Sequence, residues 1–423
     1  MAAKKALCTL SAAHISALTM LGTLATPAVA QSGASDAGTS PAFSTSFSYA
    51  GVLQANVGGG QRRGAAYDGA LAIQLTIPLD RLMAWSGTQL FLFALDTHGG
   101  TPSDPVGALQ PVNPNEAPPG LRLEELWLQT NLLENRLSLL AGRYDINTEF
   151  YRLQSAGLFV NSSFGIGPEF AQSGVAGPST FPFTAVGARA AFKPSANVVW
   201  RAAVLDASPV DRPGGGVRLF ARGDGALLLG EVAALRRPDT AKMPRDRRFE
   251  IGRGMIRPYV GKVALGVWHY TASFPDLVDT LTNGIPVARR GSTGGYIVAD
   301  QSIWSAARGA RTLAAFTQLG IGDSRVNSLG RYLGAGLTLS DPLPRREQDQ
   351  FGFAIAAAFP SSHYKAANVG TSASAETALE LTYLAQFTQS IVVQLDMQYV
   401  VHPGAVQSRR SALVPGLRLA LSR

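Results

Sequence analysis

Nine side chains in this sequence form a mixture suited to one kind of ligand. Glu125, Trp127, Arg143, Asp145 and Glu149 fall within EELWLQTNLLENRLSLLAGRYDINTEF at 124–150, and Asp300, Glu380, Asp396 and Gln398 follow later. Carboxylates, an amide and a guanidinium beside an indole can hold a molecule rich in hydroxyls with a weakly apolar ring face. Each such bond is weak enough to let the molecule leave. The same residues could instead form ion pairs that stiffen a wall, so the argument rests on the group. A pair of these carboxylates could in principle serve a hydrolase, but the chain carries no G-x-S-x-G elbow, H-E-x-x-H pair, P-loop or G-x-G-x-x-G turn. His98, His269, His363 and His402 are dispersed, so the sequence supports neither a metal nor a cofactor.

The elements that must position these residues are strands. In Ala70–Ile77, Leu71, Ile73, Leu75 and Ile77 alternate with Ala72, Gln74 and Thr76, the period of a strand. Leu379 to Phe387 and Ile391 to Val401 alternate in the same way, with only Thr388 and Gln389 to turn between them. Such runs exceed the usual strand of about five or six residues and reach the length a tilted strand needs to cross a bilayer. Sixteen can be followed, starting near residues 43, 66, 87, 120, 136, 181, 196, 225, 256, 294, 310, 329, 350, 376, 390 and 411. Long connections rich in Gly, Pro or Ser (98–119, 146–180, 271–293, 360–375) follow odd-numbered strands, and short ones (132–135, 194–195, 388–389) follow even-numbered strands. That parity and an even count predict an all-β fold, a sixteen-stranded antiparallel transmembrane β-barrel with long extracellular loops. A sandwich or propeller would show neither.

The bulk properties agree. The first thirty residues read as an export signal: Lys4 and Lys5, an apolar stretch to about Leu24, then Ala28-Val29-Ala30 before Gln31. Residues 31–42 would be a short periplasmic segment and 43–423 the barrel. The one cysteine, Cys8, lies in the leader, so the mature chain would have no disulfide. Charged residues make up 16% of the chain, low against about 25% for typical domains, as expected of a wall with one face in lipid. A formal charge of +8, falling to about +6 without the leader, suits lipopolysaccharide phosphates and gives no reason to invoke nucleic acid.

In such a barrel the alternation assigns sides, because Arg or Lys at mid-membrane on the lipid face costs about 2–4 kcal/mol, and Asp or Glu somewhat less. Glu125, Gln129, Glu380 and Asp396 therefore point into the lumen, and Arg143 and Asp145 are placed inward near the outer mouth. Tyr49, Tyr144, Tyr259 and Tyr383 are expected in the interfacial girdles. Residues 146–180 are too apolar for a free outer loop, with Phe150, Leu153, Leu158, Phe159, Val160, Phe164 and Phe170. They are expected to fold into the pore and narrow it, presenting Asn161, Ser162, Ser163 and Phe164. The basic run at 236–257 reads as a solvated turn, and Pro415 requires an edge or bulge in the last strand.

LEELWLQ, LSLLAGRYDINTEF and FVNSSFG, then GGYIVADQSIW at 294–304, DPLPRREQDQFGF at 341–353 and ELTYLAQFTQSIVVQLDMQYVVHPG at 380–404, are similar in order to the carbohydrate-selective porins (OprB-like) of bacterial outer membranes. The resemblance implies a sixteen-stranded barrel that passes small sugars by diffusion. The partners expected are those sugars, outer-membrane lipid with its lipopolysaccharide and the barrel-assembly machinery during insertion, and the barrel would work either alone or with two further copies in a trimer. The chain departs from the family pattern in ending at Arg423 without a terminal aromatic. A general or anion-preferring pore, a membrane-barrel hydrolase and a secreted β-sheet binding protein are the competing readings.

Overall fold

A computed structural model describes residues 43–209, 220, 223–237, 259–306, 311–346 and 348–423. Sixteen strands pair antiparallel, each with its neighbour in sequence, and β1 (Ser44–Asn56) closes the ring on β16 (Ala412–Ser422) through partners such as Tyr49 and Leu421. Closure leaves no strand of the ring at a sheet edge, so the backbone N–H and C=O groups of the paired ring are satisfied without water, the condition for crossing a bilayer with strands. The alternation has the consequence the sequence predicts. On β15 (Ile391–Val401), Leu395, Met397 and Tyr399 are exposed on the outside, while Gln394, Asp396 and Gln398 are buried inside. Leu395→Arg, at the middle of that outer stripe, is expected to cost about 2–4 kcal/mol of folding free energy in vesicles. Denaturant titration of the reconstituted barrel would measure it.

Strand starts fall within about five residues of those expected, except the tenth, which begins at Pro286 rather than near 294. The predicted long loop at 271–293 does not exist. β9 (Gly261–Thr280) and β10 (Pro286–Ser305) are each twenty residues and continue as a tall hairpin around a turn at 281–285. Register shifts at Pro286/Ala288 and Arg290/Ser292 absorb the proline and glycine that read as loop signals. The Asp276 and Asp279 carboxylates pair with Arg289 across the hairpin. At Pro415 the expected irregularity is present: Gln54 pairs with Gly416, but the next bridge to β16 joins Gly58 to Leu413, which leaves an extra residue on the β1 side. Residues 1–42, which include the predicted leader, and most of the basic 236–257 run lie outside the described residues.

The interior departs from a plain polar channel. Phe91, Leu95, Trp127, Leu205, Leu227, Trp268, Tyr270 and Tyr296 are all buried on the inner face. They form one apolar cluster with Phe150, Tyr151, Leu153, Phe164 and Phe170. The barrel's core is a loop packed against its own wall.

Candidate functional site

That loop runs from 145 to 184, between β5 (Leu137–Tyr144) and β6 (Ala185–Ser195). It enters the lumen through Asp145, whose carboxylate caps a short 3-10 turn by accepting the Asn147 N–H at 2.7 Å. Glu125, on β4 (Gly120–Leu132), accepts the Asp145 N–H at 3.2 Å and the Trp127 indole N–H at 3.0 Å. Trp127 stacks on Phe91 with ring centroids 4.7 Å apart. Glu149 accepts from Tyr144 and forms a 2.7 Å ion pair with Arg189.

From there wall side chains hold the loop almost all the way round the barrel. Glu231, on β8 (Ala226–Arg236), accepts the Tyr151 N–H, the Tyr296 hydroxyl and Arg201 Nη1 at 3.0, 2.9 and 2.8 Å. Lys262 Nζ donates to the Arg152 carbonyl at 2.7 Å. Asp300 accepts both the N–H and the hydroxyl of Ser155, at 2.9 and 2.7 Å. Gln318 and Tyr332 donate to the Phe164 and Ser163 carbonyls. Glu380, on β14 (Glu376–Thr388), accepts the consecutive N–H groups of Val160 and Asn161 at 2.6 and 2.9 Å. On β15, Gln394 donates to the Leu158 carbonyl, and Gln398 Oε1 accepts from the Asn161 amide. A buried loop cannot leave its backbone polar groups unmatched, and here the inner wall supplies the partners.

Small inner residues make room for it. A Cβ at Gly320 would stand 1.8 Å from Glu169 Oε1, and one at Gly352 would meet Leu158 and Phe159 at 2.7 Å. Ala354, Ala356 and Ala378 continue that shallow wall. Against it Phe159, Phe164 and Phe316 pack with centroids 5.0 to 5.9 Å apart.

The loop at 100–119, expected only as an outer connection, also folds inward. Gln110, Val112, Asn113 and Asn115 are buried. Glu376 accepts the consecutive N–H groups of Leu109 and Gln110, both at 2.7 Å. Two carboxylates four residues apart on one face of β14 thus hold one loop each. The loops meet where Ser162 donates its N–H to the Pro111 carbonyl and its hydroxyl to the Asn113 carbonyl, both at 3.0 Å. Beside this seam lies a cavity of about 260 Å³, lined entirely by residues of 111–116, 147–172 and 180–182.

Glu125, Trp127, Asp300, Glu380, Asp396 and Gln398 do face inward, as expected, with Asp145, Glu149, Asn161, Ser163 and Phe164 buried in the loop. However, Asp300 and Glu380 are occupied by loop N–H groups rather than standing open to a passing solute. Arg143 is a correction. Strict alternation in β5 puts it on the face of Leu139 and opposite Leu126, both exposed outside, and its Nε donates to the Thr184 hydroxyl at 2.8 Å. Tyr144 and Tyr259 leave the predicted girdle too, since their hydroxyls bond Glu149 and Asp300 on the inner side. Sequence reasoning missed Glu231, Arg189, Arg201, Lys262 and Glu376. The alternation that found Glu380 would have found Glu231, a lone carboxylate between Leu229 and Ala233 on the inner face of β8.

Three loop carboxyls, Glu116, Asp145 and Glu169, are pushed by burial to about 7. A carboxyl raised on folding contributes stability that is complete below its ordinary value and is lost as pH rises through the raised one. Glu149, which Arg189 holds low despite its burial, acts in the opposite sense: its contribution is full at neutral pH and is lost only in acid. The loops are therefore expected to be held more firmly at pH 5 than at pH 8. Open-channel current noise should rise over that interval, and Glu169→Gln should flatten the rise.

The family model described as carbohydrate-selective porin, OprB family, matches residues 62–422. The chain belongs to that family. As a porin it is a channel of the bacterial outer membrane, in a family described as carbohydrate-selective. Porin B of Pseudomonas aeruginosa is 22% identical over 411 residues, covering 88% of this chain and 85% of its own. The high-pH structure of Pseudomonas putida OprB has a TM-score of 0.77 at 19% identity, covering 90% of this porin and 94% of that chain. OmpF of Salmonella typhi, solved with daunomycin, has a TM-score of 0.53 at 9% identity, covering 90% and 97%. These structural likenesses bear out the closed sixteen-stranded barrel.

Proposed function

We propose that this porin passes small sugars of the glucose type passively, down their gradient, and that the inward loop at 145–184 sets which solutes pass. One observation carries the reading: the loop crosses the lumen and is bonded to strands on nearly every side, so a solute must pass the loop rather than a bare polar wall. Charge balance supports sugars over anions. The inner-wall cations Arg189 and Arg201 are paired with Glu149 and Glu231 at 2.7 and 2.8 Å, and Lys262 lies 3.8 Å from the same Glu231, so none of the three stands as an open site for an anion. Swelling of proteoliposomes in isosmotic sugar tests the reading. Faster swelling in glucose than in a polyol of equal size is the expected result; equal rates would make this a general diffusion pore.

A further inference from the structure

The two rims of the barrel carry charge differently. At the long-loop rim cations stand beside carboxylates: Arg289 pairs with Asp276 and Asp279, and Arg325 with Asp323. At the short-turn rim, which faces the periplasm in an outer-membrane barrel, cations lace neighbouring turns together. Arg136, in the turn before β5, donates to the Lys193 and Pro194 carbonyls at 3.4 and 3.3 Å. Arg237 donates to the Ala196 carbonyl at 3.3 Å, and Arg236 to the Ser302 carbonyl at 3.5 Å. A carbonyl fixes a guanidinium in place without cancelling its charge. Neither Arg136 nor Arg236 has a carboxylate partner among the described residues, and Glu134 is the one acid described in the turns after β4, β6 and β8. The sequence that continues the last of these turns, 238–258, has the same sign, with six Lys or Arg against three Asp or Glu.

These cations reach the side of the barrel as well as its end. Arg136 stands over the ring of Phe192, 5.8 Å from its centroid, and Phe192 meets the exposed Trp200 edge to face at 6.3 Å. The two rings are strand partners on the outward face, and aromatic side chains at a barrel's end mark the level of lipid headgroups. Arg236 ends the outward stripe of Leu228, Val232 and Ala234 on β8. A guanidinium at the polar edge of a lipid-facing stripe meets a phosphate there, and an unbalanced cationic rim favours headgroups that keep a net negative charge. An anion of the cell wall would instead approach the end of the barrel.

We propose that the periplasmic rim over β4 to β9 binds the phosphate headgroups of anionic phospholipid in the inner leaflet, with Arg136 and Arg236 as the contacting cations. The barrel is seated in its membrane by this rim, whatever solute passes through the lumen.

The test is tryptophan quenching by bromine-labelled phosphatidylglycerol or phosphatidylcholine in bilayers holding the full-length barrel, with the Trp200 signal isolated by subtracting Trp200→Phe. Wild type is expected to prefer phosphatidylglycerol about five- to twentyfold around Trp200, and the preference should fall as salt rises. Arg136→Gln and Arg236→Gln should each lower it about two- to fivefold, and the double variant should abolish it. Arg136→Lys, which keeps the charge, should stay near wild type, and conductance and heat-dependent gel mobility should be unchanged in all of them. Equal quenching by the two lipids in wild type, or a preference that survives the double variant, would overturn the proposal. An equal loss in Arg331→Gln, whose guanidinium stands over Phe359 at the opposite rim, would make the attraction one of overall charge and overturn the site. Cosedimentation with peptidoglycan sacculi that the double variant loses, beside an unchanged lipid preference, would give the rim to the cell wall instead.

Discussion

Glu380→Ala is expected to loosen the inward loop while leaving the barrel closed. Its two oxygens accept the N–H groups of Val160 and Asn161, and bonds to a charged acceptor are worth about 1.5–3 kcal/mol each. Alanine would leave both donors buried without partners, so the segment around 158–164 would separate from β14 toward water. Strand pairing does not pass through this carboxylate, and the ladders to β13 (Gln350–Pro360) and β15 are backbone bonds. The expected readouts are larger single-channel conductance, sugar block weakened roughly tenfold for each 1.4 kcal/mol of seating lost, and unchanged heat-dependent gel mobility. Glu380→Gln, which keeps one acceptor oxygen, should fall between alanine and wild type. A Glu380→Ala channel with wild-type conductance and block would mean the loop is held without this anchor.

Glu231→Ala should produce the largest loss of stability. Glu231 takes Arg201, Tyr296 and the Tyr151 N–H, and Lys262 Nζ lies 3.8 Å away. Removing one member of a buried ion pair costs about 3–5 kcal/mol, because the remaining charge has no counterion. Arg201 and Lys262 would then face the lumen uncompensated, and the channel should shift toward anions, read as reversal potential in a salt gradient. Combining it with Arg201→Gln should recover part of the stability, because the two changes act on one pair. Full additivity of the two losses would remove the pair from the account.

The strands were legible because lipid is a strict solvent. It admits apolar residues on one face, and the period of two runs the length of every crossing. The loop at 145–184 was legible for the same reason: Phe150, Phe159, Phe164 and Phe170 are too apolar for water. The partners of that loop were not. Glu380 reads as a lumen carboxylate from its neighbours, but nothing local says that its ligands are the N–H groups of Val160 and Asn161, some 220 residues earlier. The inward fold of 100–119 was hidden because its anchoring groups, such as Asn113 and Gln110, are the polar residues that also suit an outer loop. Arg143 went wrong where the expected face was read across the end of β5 into the turn at Asp145, where the period stops.

The central claim is that a wall-anchored loop makes this barrel select sugars. Single-channel conductance in a planar bilayer, with glucose and then maltose titrated in beside a polyol of matched size, tests it most directly. The account predicts saturable block by sugar that the polyol does not reproduce. Conductance that ignores sugar and responds only to the identity of the anion would contradict it.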